Sequence, residues 1–497
     1  MTTYLGVGAV RIQTWLAHTP KLTHLRGASQ ALQQHTSNAR IQHWLDTGVP
    51  GARLVGAAGD VDGVIALELL PDVAAGSVAT RLVADLHNSL PGVQWAAWWC
   101  EDVNYLKAMW RSTDPDDLMP RLDFLPALQD NPLAESCPQC RREPLTLSAA
   151  SSADTGTDCL ARDLAQQEEI EAAKRTGGRW DGIPGAWPKD FDELAARGGL
   201  APHTAGPEAV GRRDSRSHLA TIDADGNGLG GLVSAIAKCP VHLGELYENT
   251  VSVVNEVLLC SVITAAQHAS DPASTVKGAI PHYAGGDDCL VTVPAAAAWV
   301  FAARLAEHFD QARVRLLGCL DSDVAKASAE TPTAAEDVAD VRERIGALSL
   351  GVGMVFAGTS HPFAETSAVA HQALNRAKVD AQGRSARIGW ADLTAESGGV
   401  GGPDALATIE VSDVLHQLNP GATGVGTDVF SLSPSARSQL GSILRDSTVT
   451  DRVGRQSMVD RWAKRTDVTL STSLDELPAA LSRARWWPAT NTEESDQ

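Results

Sequence analysis

Gly-Ala-Ile-Pro-His-Tyr-Ala-Gly-Gly-Asp-Asp-Cys-Leu-Val-Thr-Val, residues 278–293, sets two short apolar runs about a turn made of Gly285, Gly286, Asp287 and Asp288. Paired glycines followed by Val and Thr predict a β-hairpin. Glycine tolerates backbone angles that other residues resist, so the turn is sharp and lets a phosphate come close. Adjacent carboxylates at the tip repel each other unless a cation lies between them, and Mg²⁺ takes one or two carboxylates together with substrate phosphates.

Working upstream, His218-Leu-Ala-Thr-Ile-Asp-Ala-Asp225 is an apolar run that ends in Asp223 and Asp225. Gly226-Asn227-Gly228-Leu229-Gly230-Gly231 follows, then an apolar helix-like segment. Strand, acid, glycine loop and helix make a phosphate cradle, because free backbone N–H groups and a helix start favour anions. Asp223 beside Asp287 and Asp288 predicts a two-metal site for phosphoryl or nucleotidyl transfer. Gly226, Asn227, Gly228, Gly285 and Gly286 are then the nucleotide-binding positions. Asp225 fits either this site or a cap on the loop. A Gly-Gly-Asp-Asp turn alone suits any tight hairpin; the second strand ending in acids is what favours metal and nucleotide.

The Ala284–Asp288 hairpin, the Ile222–Gly230 strand and loop, and Ala373-Leu-Asn-Arg-Ala-Lys378 resemble the palm of the large subunit of type III CRISPR effector complexes. That family is related to the GGDEF nucleotide cyclases. The resemblance implies an α+β chain of two ferredoxin-like palm domains, an inserted cysteine-containing helical domain and a C-terminal helical domain. It also implies conversion of ATP to cyclic oligoadenylates on two Mg²⁺ or Mn²⁺ ions, switched on by RNA capture. The implied partners are the other effector subunits, guide crRNA and target RNA. Lys378 matches a lysine that reaches nucleotide phosphates in the cyclase relatives; its other reading is a solvated lysine at a helix end. Two further functions stand beside this one. A cyclase making another cyclic nucleotide is disfavoured by Asp288 where GGDEF enzymes carry glutamate. A non-catalytic scaffold is disfavoured by intact acids at both places.

The 497 residues suggest three or four domains, at roughly 100–200 residues each. A net charge of −20 excludes a free-standing nucleic-acid binder with a basic footprint. No apolar run reaches the length of a membrane span, and the N-terminus lacks a signal-peptide pattern. The eight scattered cysteines argue against a disulfide framework. The chain therefore reads as cytoplasmic, with no membrane contact.

Residues 1–125 read as a first palm: strand Tyr4 to Val10, helix about 11–45, hairpin at Gly59-Asp60-Val61-Asp62-Gly63, helix about 72–89, strand Val93 to Trp99. Ala58-Gly-Asp-Val-Asp62 stands where the second copy has Ala284-Gly-Gly-Asp-Asp288, and the first strand carries no acid. The first palm is therefore degenerate and structural. Gly27-Ala28-Ser29 is similar to a step in the family's first palm, or is a loosely packed helix turn. Residues 126–210 form the insertion, where Cys137, Cys140 and Cys159 offer three of four tetrahedral Zn²⁺ ligands. His203, Asp163 and Cys239 compete for the fourth place. The family carries two close cysteine pairs here and this chain keeps one, so reduced free thiols are the alternative.

The second palm spans 211–395. It holds a long helix at about 241–270, a surface loop at 322–337, a buried strand from Leu348 to Phe356, and a helix at about 363–380 before a last strand. Residues 398–403 are a glycine-rich linker, 396–487 a helical domain, and 488–497 a disordered tail. Many family members begin with a His-Asp nuclease domain; no His-Asp dipeptide occurs here, so no DNase activity is expected.

Overall fold

The computed structural model describes residues 1–19, 21–112, 117, 119–127, 135–145, 155–176, 178–198, 217–239, 241–271, 274–328, 338–383, 385–394, 406–419, 427–430, 432–445 and 451–487. Its first sheet consists of β1 (Thr2–Val10), β2 (Ala52–Leu54), β3 (Val64–Leu69), β4 (Gln94–Asp102) and β5 (Arg121–Phe124), in the order β2-β3-β1-β4-β5. Its second consists of β6 (His218–Asn227), β7 (Ile280–Gly285), β8 (Asp288–Pro294), β9 (Ser349–Gly358), β10 (Arg387–Asp392) and β11 (Ala407–Glu410), in the order β11-β10-β9-β6-β8-β7. In both sheets the first strand lies between the third and the fourth, with the second outside the third. This is one four-strand pattern used twice in an α+β chain.

Alternation along each strand decides which layer it meets. Leu5 and Val7 of β1 join Ile65, Leu67, Trp95 and Ala97 in a core covered by the helices Leu22–Thr36 and Ala75–Ser89. Ala220, Ile222 and Ala224 of β6 face the other way round the second sheet, into the larger core with the helices Gly244–Ala269 and Ala298–Phe309. Its opposite face lies beneath the helix Phe363–Ala381. That helix sits close because Gly353 and Gly389 pair across β9 and β10. A Cβ on Gly353 would lie 2.1 Å from the Ala370 carbonyl oxygen, and one on Gly389 would lie 2.2 Å from that of Ala373.

Several expectations change. The helix expected over 11–45 is three helices: Ile12–Leu16, Leu22–Thr36 and Asn38–Gly48. Pro20 lacks an N–H for a continuous helix, and Ser37 caps the third helix by accepting from the Arg40 N–H at 3.4 Å. Gly27 is not in a loose turn. The helix Thr157–Thr176 crosses there, so closely that a Cβ on Gly27 would meet the Arg162 carbonyl oxygen at 1.9 Å. The loop expected at 322–337 is helical as far as Ser328, and its remainder lies outside the described residues. Gly244–Ala269, at 26 residues, is long and apolar enough to cross a membrane by length and composition, contrary to expectation. Over half of its most apolar window is buried, as befits a core helix. Past the expected linker at 398–403, β11 pairs with β10 before the helices begin. That linker and the tail 488–497 lie outside the described residues. Val429, Leu440, Trp462 and Leu477 of the last helices form a core of their own.

Candidate metal and nucleotide site

β6 runs antiparallel to β8 with Asp225 opposite Asp288 and Asp223 opposite Leu290. Side chains alternate along a strand, so Asp223, Asp225 and Asp288 share one face. Asp287 closes the turn, where its carbonyl accepts the Gly226 N–H at 2.9 Å. A Cβ on Gly226 would stand 2.6 Å from the Asp287 carboxylate, so the glycine makes room for that acid. The structure thus brings together the three acids named from sequence and adds Asp225.

The expected phosphate contacts are distributed differently. The Gly226 amide is engaged by Asp287. The Gly286 amide donates to Asn255 Oδ1 at 2.9 Å, with Gly286 at a φ of 66°. Asn227 is buried and donates to Ser349 Oγ at 3.1 Å. Gly285 packs on Asp62, whose Cβ lies 3.2 Å from where a Cβ on Gly285 would stand. Gly228, at a φ of 88°, opens the helix Leu229–Lys238 directly after the acids.

Lys378 lies on the acids, its ammonium bonded to Asp225 and to the Gly226 carbonyl. It is therefore not the solvated helix-end lysine of the alternative reading. Asp223 has no exposure at all. His371 Nδ1 meets its Oδ2 at 2.9 Å, and the Gln13 amide reaches both oxygens at 3.3 and 3.4 Å. Burial, then the charge of Asp225, pushes the Asp287 carboxyl up to about 7. Burial and the charges of Asp223, Asp225 and Asp287 push Asp288 well above the usual carboxylate range. Acids held where ionisation is opposed are what a divalent cation neutralises.

The corresponding turn of the first sheet faces this hairpin. Asn255 donates to the Asp60 carbonyl at 3.2 Å while accepting from Gly286. Arg179 bonds the buried Asp62 carboxylate and donates to the Ala284 carbonyl at 2.9 Å. Sequence reasoning missed His371, Gln13, Asn255 and Arg179. His371 and Lys378 are seven apart, two turns along one helix face, which was a usable signal; Gln13, 210 residues from Asp223, left none.

In the insertion, ligand atoms of Cys137, Cys140, Glu143 and Cys159 all lie within 4.8 Å of one another, alone among the described residues. Glu143 fills the fourth place, and its carboxylate also accepts the Asp158 and Cys159 amides at 3.0 and 3.1 Å. Asp163 instead pairs with His24 at 2.9 Å; Cys239 is not in the cluster, and His203 lies outside the described residues. Three sulfurs and one carboxylate oxygen suit tetrahedral zinc, and the set could hold such a metal.

Fold and site together define an α+β chain of two sheets, with one buried acid, Asp223, and three half-buried ones gathered at one hairpin. No family model matches the sequence, and no curated protein matches it either. Among solved structures, the apo Csm1-Csm4 cassette aligns at a TM-score of 0.51 and 12% identity, over 97% of this chain and 69% of that one. The cassette with cA4 gives 0.47 at 13% identity, over 98% and 68%, and Csm1 of T. onnurineus gives 0.45 at 13%, over 98% and 70%. The chain has the fold of Csm1, the large subunit of type III-A CRISPR-Csm complexes.

Proposed function

We propose that the chain is the large subunit of a type III CRISPR RNA-guided effector complex and converts ATP to cyclic oligoadenylates by two-metal nucleotidyl transfer. The observation that carries this is the direct pairing of Asp288 with Asp225 in register, with Asp223 on the same face and Asp287 at the turn. Two Mg²⁺ or Mn²⁺ ions, when bound, would acidify the attacking ribose hydroxyl and neutralise the triphosphate of the incoming nucleotide. Asp223, Asp287 and Asp288 would hold those cations. Lys378, bonded to Asp225, would be within the same site to neutralise a nucleotide phosphate. Gly228 and the start of Leu229–Lys238 present the positive end of a helix to the phosphates. In this reading Gly226, Gly285 and Gly286 serve by leaving room rather than by donating, and Asn227 fixes the loop.

Both sheets are read as ferredoxin-like palms, the first (1–125) structural and the second (211–395) catalytic. Residues 126–210 are read as an insertion on zinc; within 396–487, β11 completes the second sheet and the helices from Val429 on form a core of their own. Guide crRNA, target RNA and the other effector subunits are the partners, in the cytoplasm. Mass spectrometry of products from ATP, Mn²⁺ and the assembled complex tests the activity.

The zinc assignment has its own check. Plasma emission spectrometry of the purified chain is expected to find about one zinc per molecule. The double change Cys137→Ser/Cys140→Ser should remove it and lower the melting temperature, and Glu143→Ala should weaken retention against a chelator. A wild-type chain without zinc contradicts the assignment.

A further inference from the structure

We propose that His371 is a positioning residue that orients the Asp223 carboxylate for its cation, an inference that rests on the two-metal reading above. Asp223 sits mid-strand on β6, fully buried, opposite Gly353 of β9. A carboxylate in that place has two equivalent oxygens, and something must select the one offered to a metal. The Gln13 amide does not, since it spans both at 3.3 and 3.4 Å. His371 does, with Nδ1 at 2.9 Å from Oδ2. An ionised carboxylate only accepts hydrogen bonds, so Nδ1 carries the proton and donates it. Oδ1, which accepts only the longer bond from the Gln13 amide, is then the oxygen offered to the ion.

The backbone that bears the ring is seated on the sheet. His371 follows Ala370, whose carbonyl closes on Gly353 along with the Leu374 amide, at 2.1 and 2.3 Å from where a Cβ on Gly353 would stand. The glycine that faces Asp223 across the strands therefore also fixes the turn of helix that bears the histidine. The His371 side chain is half exposed while Asp223 is sealed, so the imidazole covers the acid on the side open to solvent. Hydrogen-bonded partners of this kind orient metal ligands, and their loss weakens metal affinity or activity 10- to 100-fold.

The test is Mn²⁺ alone, titrated into the full chain and followed by electron paramagnetic resonance. His371→Ala should weaken the tighter Mn²⁺ binding roughly 10-fold with its melting temperature kept. His371→Asn, whose Nδ2 takes the place of the ring Nδ1, should come back to within about threefold of wild type. If wild type binds Mn²⁺ and His371→Ala binds it equally well, the positioning role is overturned and the two-metal reading stands. Equal weakening by Ala and Asn also overturns it, because ring bulk rather than the donor would then matter. A wild-type chain that takes up no Mn²⁺ overturns both.

Discussion

Replacing Asp287 and Asp288 together by Asn is expected to abolish ATP conversion and, in the metal-free chain, to raise the melting temperature. The first effect follows from the loss of two ligands whose metal-borne charge stabilisation is worth several kcal/mol, roughly three orders of magnitude in rate. The second follows from the state of the acids without metal. Asp287 moves from 3.8 to about 7 through burial and the charge of Asp225. A carboxyl whose folded value lies above its unfolded one keeps its proton longer in the folded state. Its stabilising contribution is complete below the unfolded value and is lost as pH rises through 7. Asn has nothing to ionise, so the gain should be small near pH 4 and on the order of 4 kcal/mol near pH 8, a shift of several degrees or more. Thermal melts at both pH values beside product assays check this. A variant that is inactive and less stable at pH 8 would contradict the account of opposed charges.

Gly353→Val should unseat the helix that carries His371 and Lys378. Its first added atom would lie 2.1 Å from the Ala370 carbonyl oxygen and 2.3 Å from the Leu374 amide nitrogen. Both are backbone, so no side chain can swing away, and the helix must lift from β9. Overpacking of a close-fitted core costs about 1–3 kcal/mol and more where backbone must shift, so a loss of at least about 3 kcal/mol is expected here. Gly318→Ala is the control. It lies within the helix Gln311–Ser328 with no neighbour within 4 Å of the new atom, and alanine there should stabilise by up to about 1 kcal/mol. Melting curves of the two variants decide the matter; a Gly353→Val chain that melts with wild type would show that the helix is not pressed onto the sheet.

How much of this the sequence disclosed depends on how far apart the interacting residues lie. The hairpin at Gly285-Gly286 and the acids of β6 were legible because strand alternation and turn chemistry are local. Asp225 was legible too, two residues from Asp223 on the same face, yet a cap on the loop competed with it until β8 set Asp288 across from it. The break near Pro20 and Ser37 carried local signals that a long apolar pattern outweighed. Gly353 and Gly389 look like weak points in apolar strands, and their purpose emerges only when Ala370 and Ala373 press on them. Glu143 was three residues from Cys140, but a carboxylate is a less familiar zinc ligand than cysteine or histidine. Gln13, Asn255 and Arg179 depend on the meeting of two sheets, which no local pattern encodes.

The central claim is that the acids of β6 and β8 work on ATP. It is tested most directly by mass spectrometry of the products made from ATP and Mn²⁺ by the chain assembled with its co-purified partner subunits and guide RNA, with and without target RNA. The account predicts cyclic adenylate rings joined by 3′–5′ bonds, appearing when target RNA is present and absent from the Asp287→Asn/Asp288→Asn assembly. ATP left unchanged by an assembly that binds both Mn²⁺ and target RNA would contradict it.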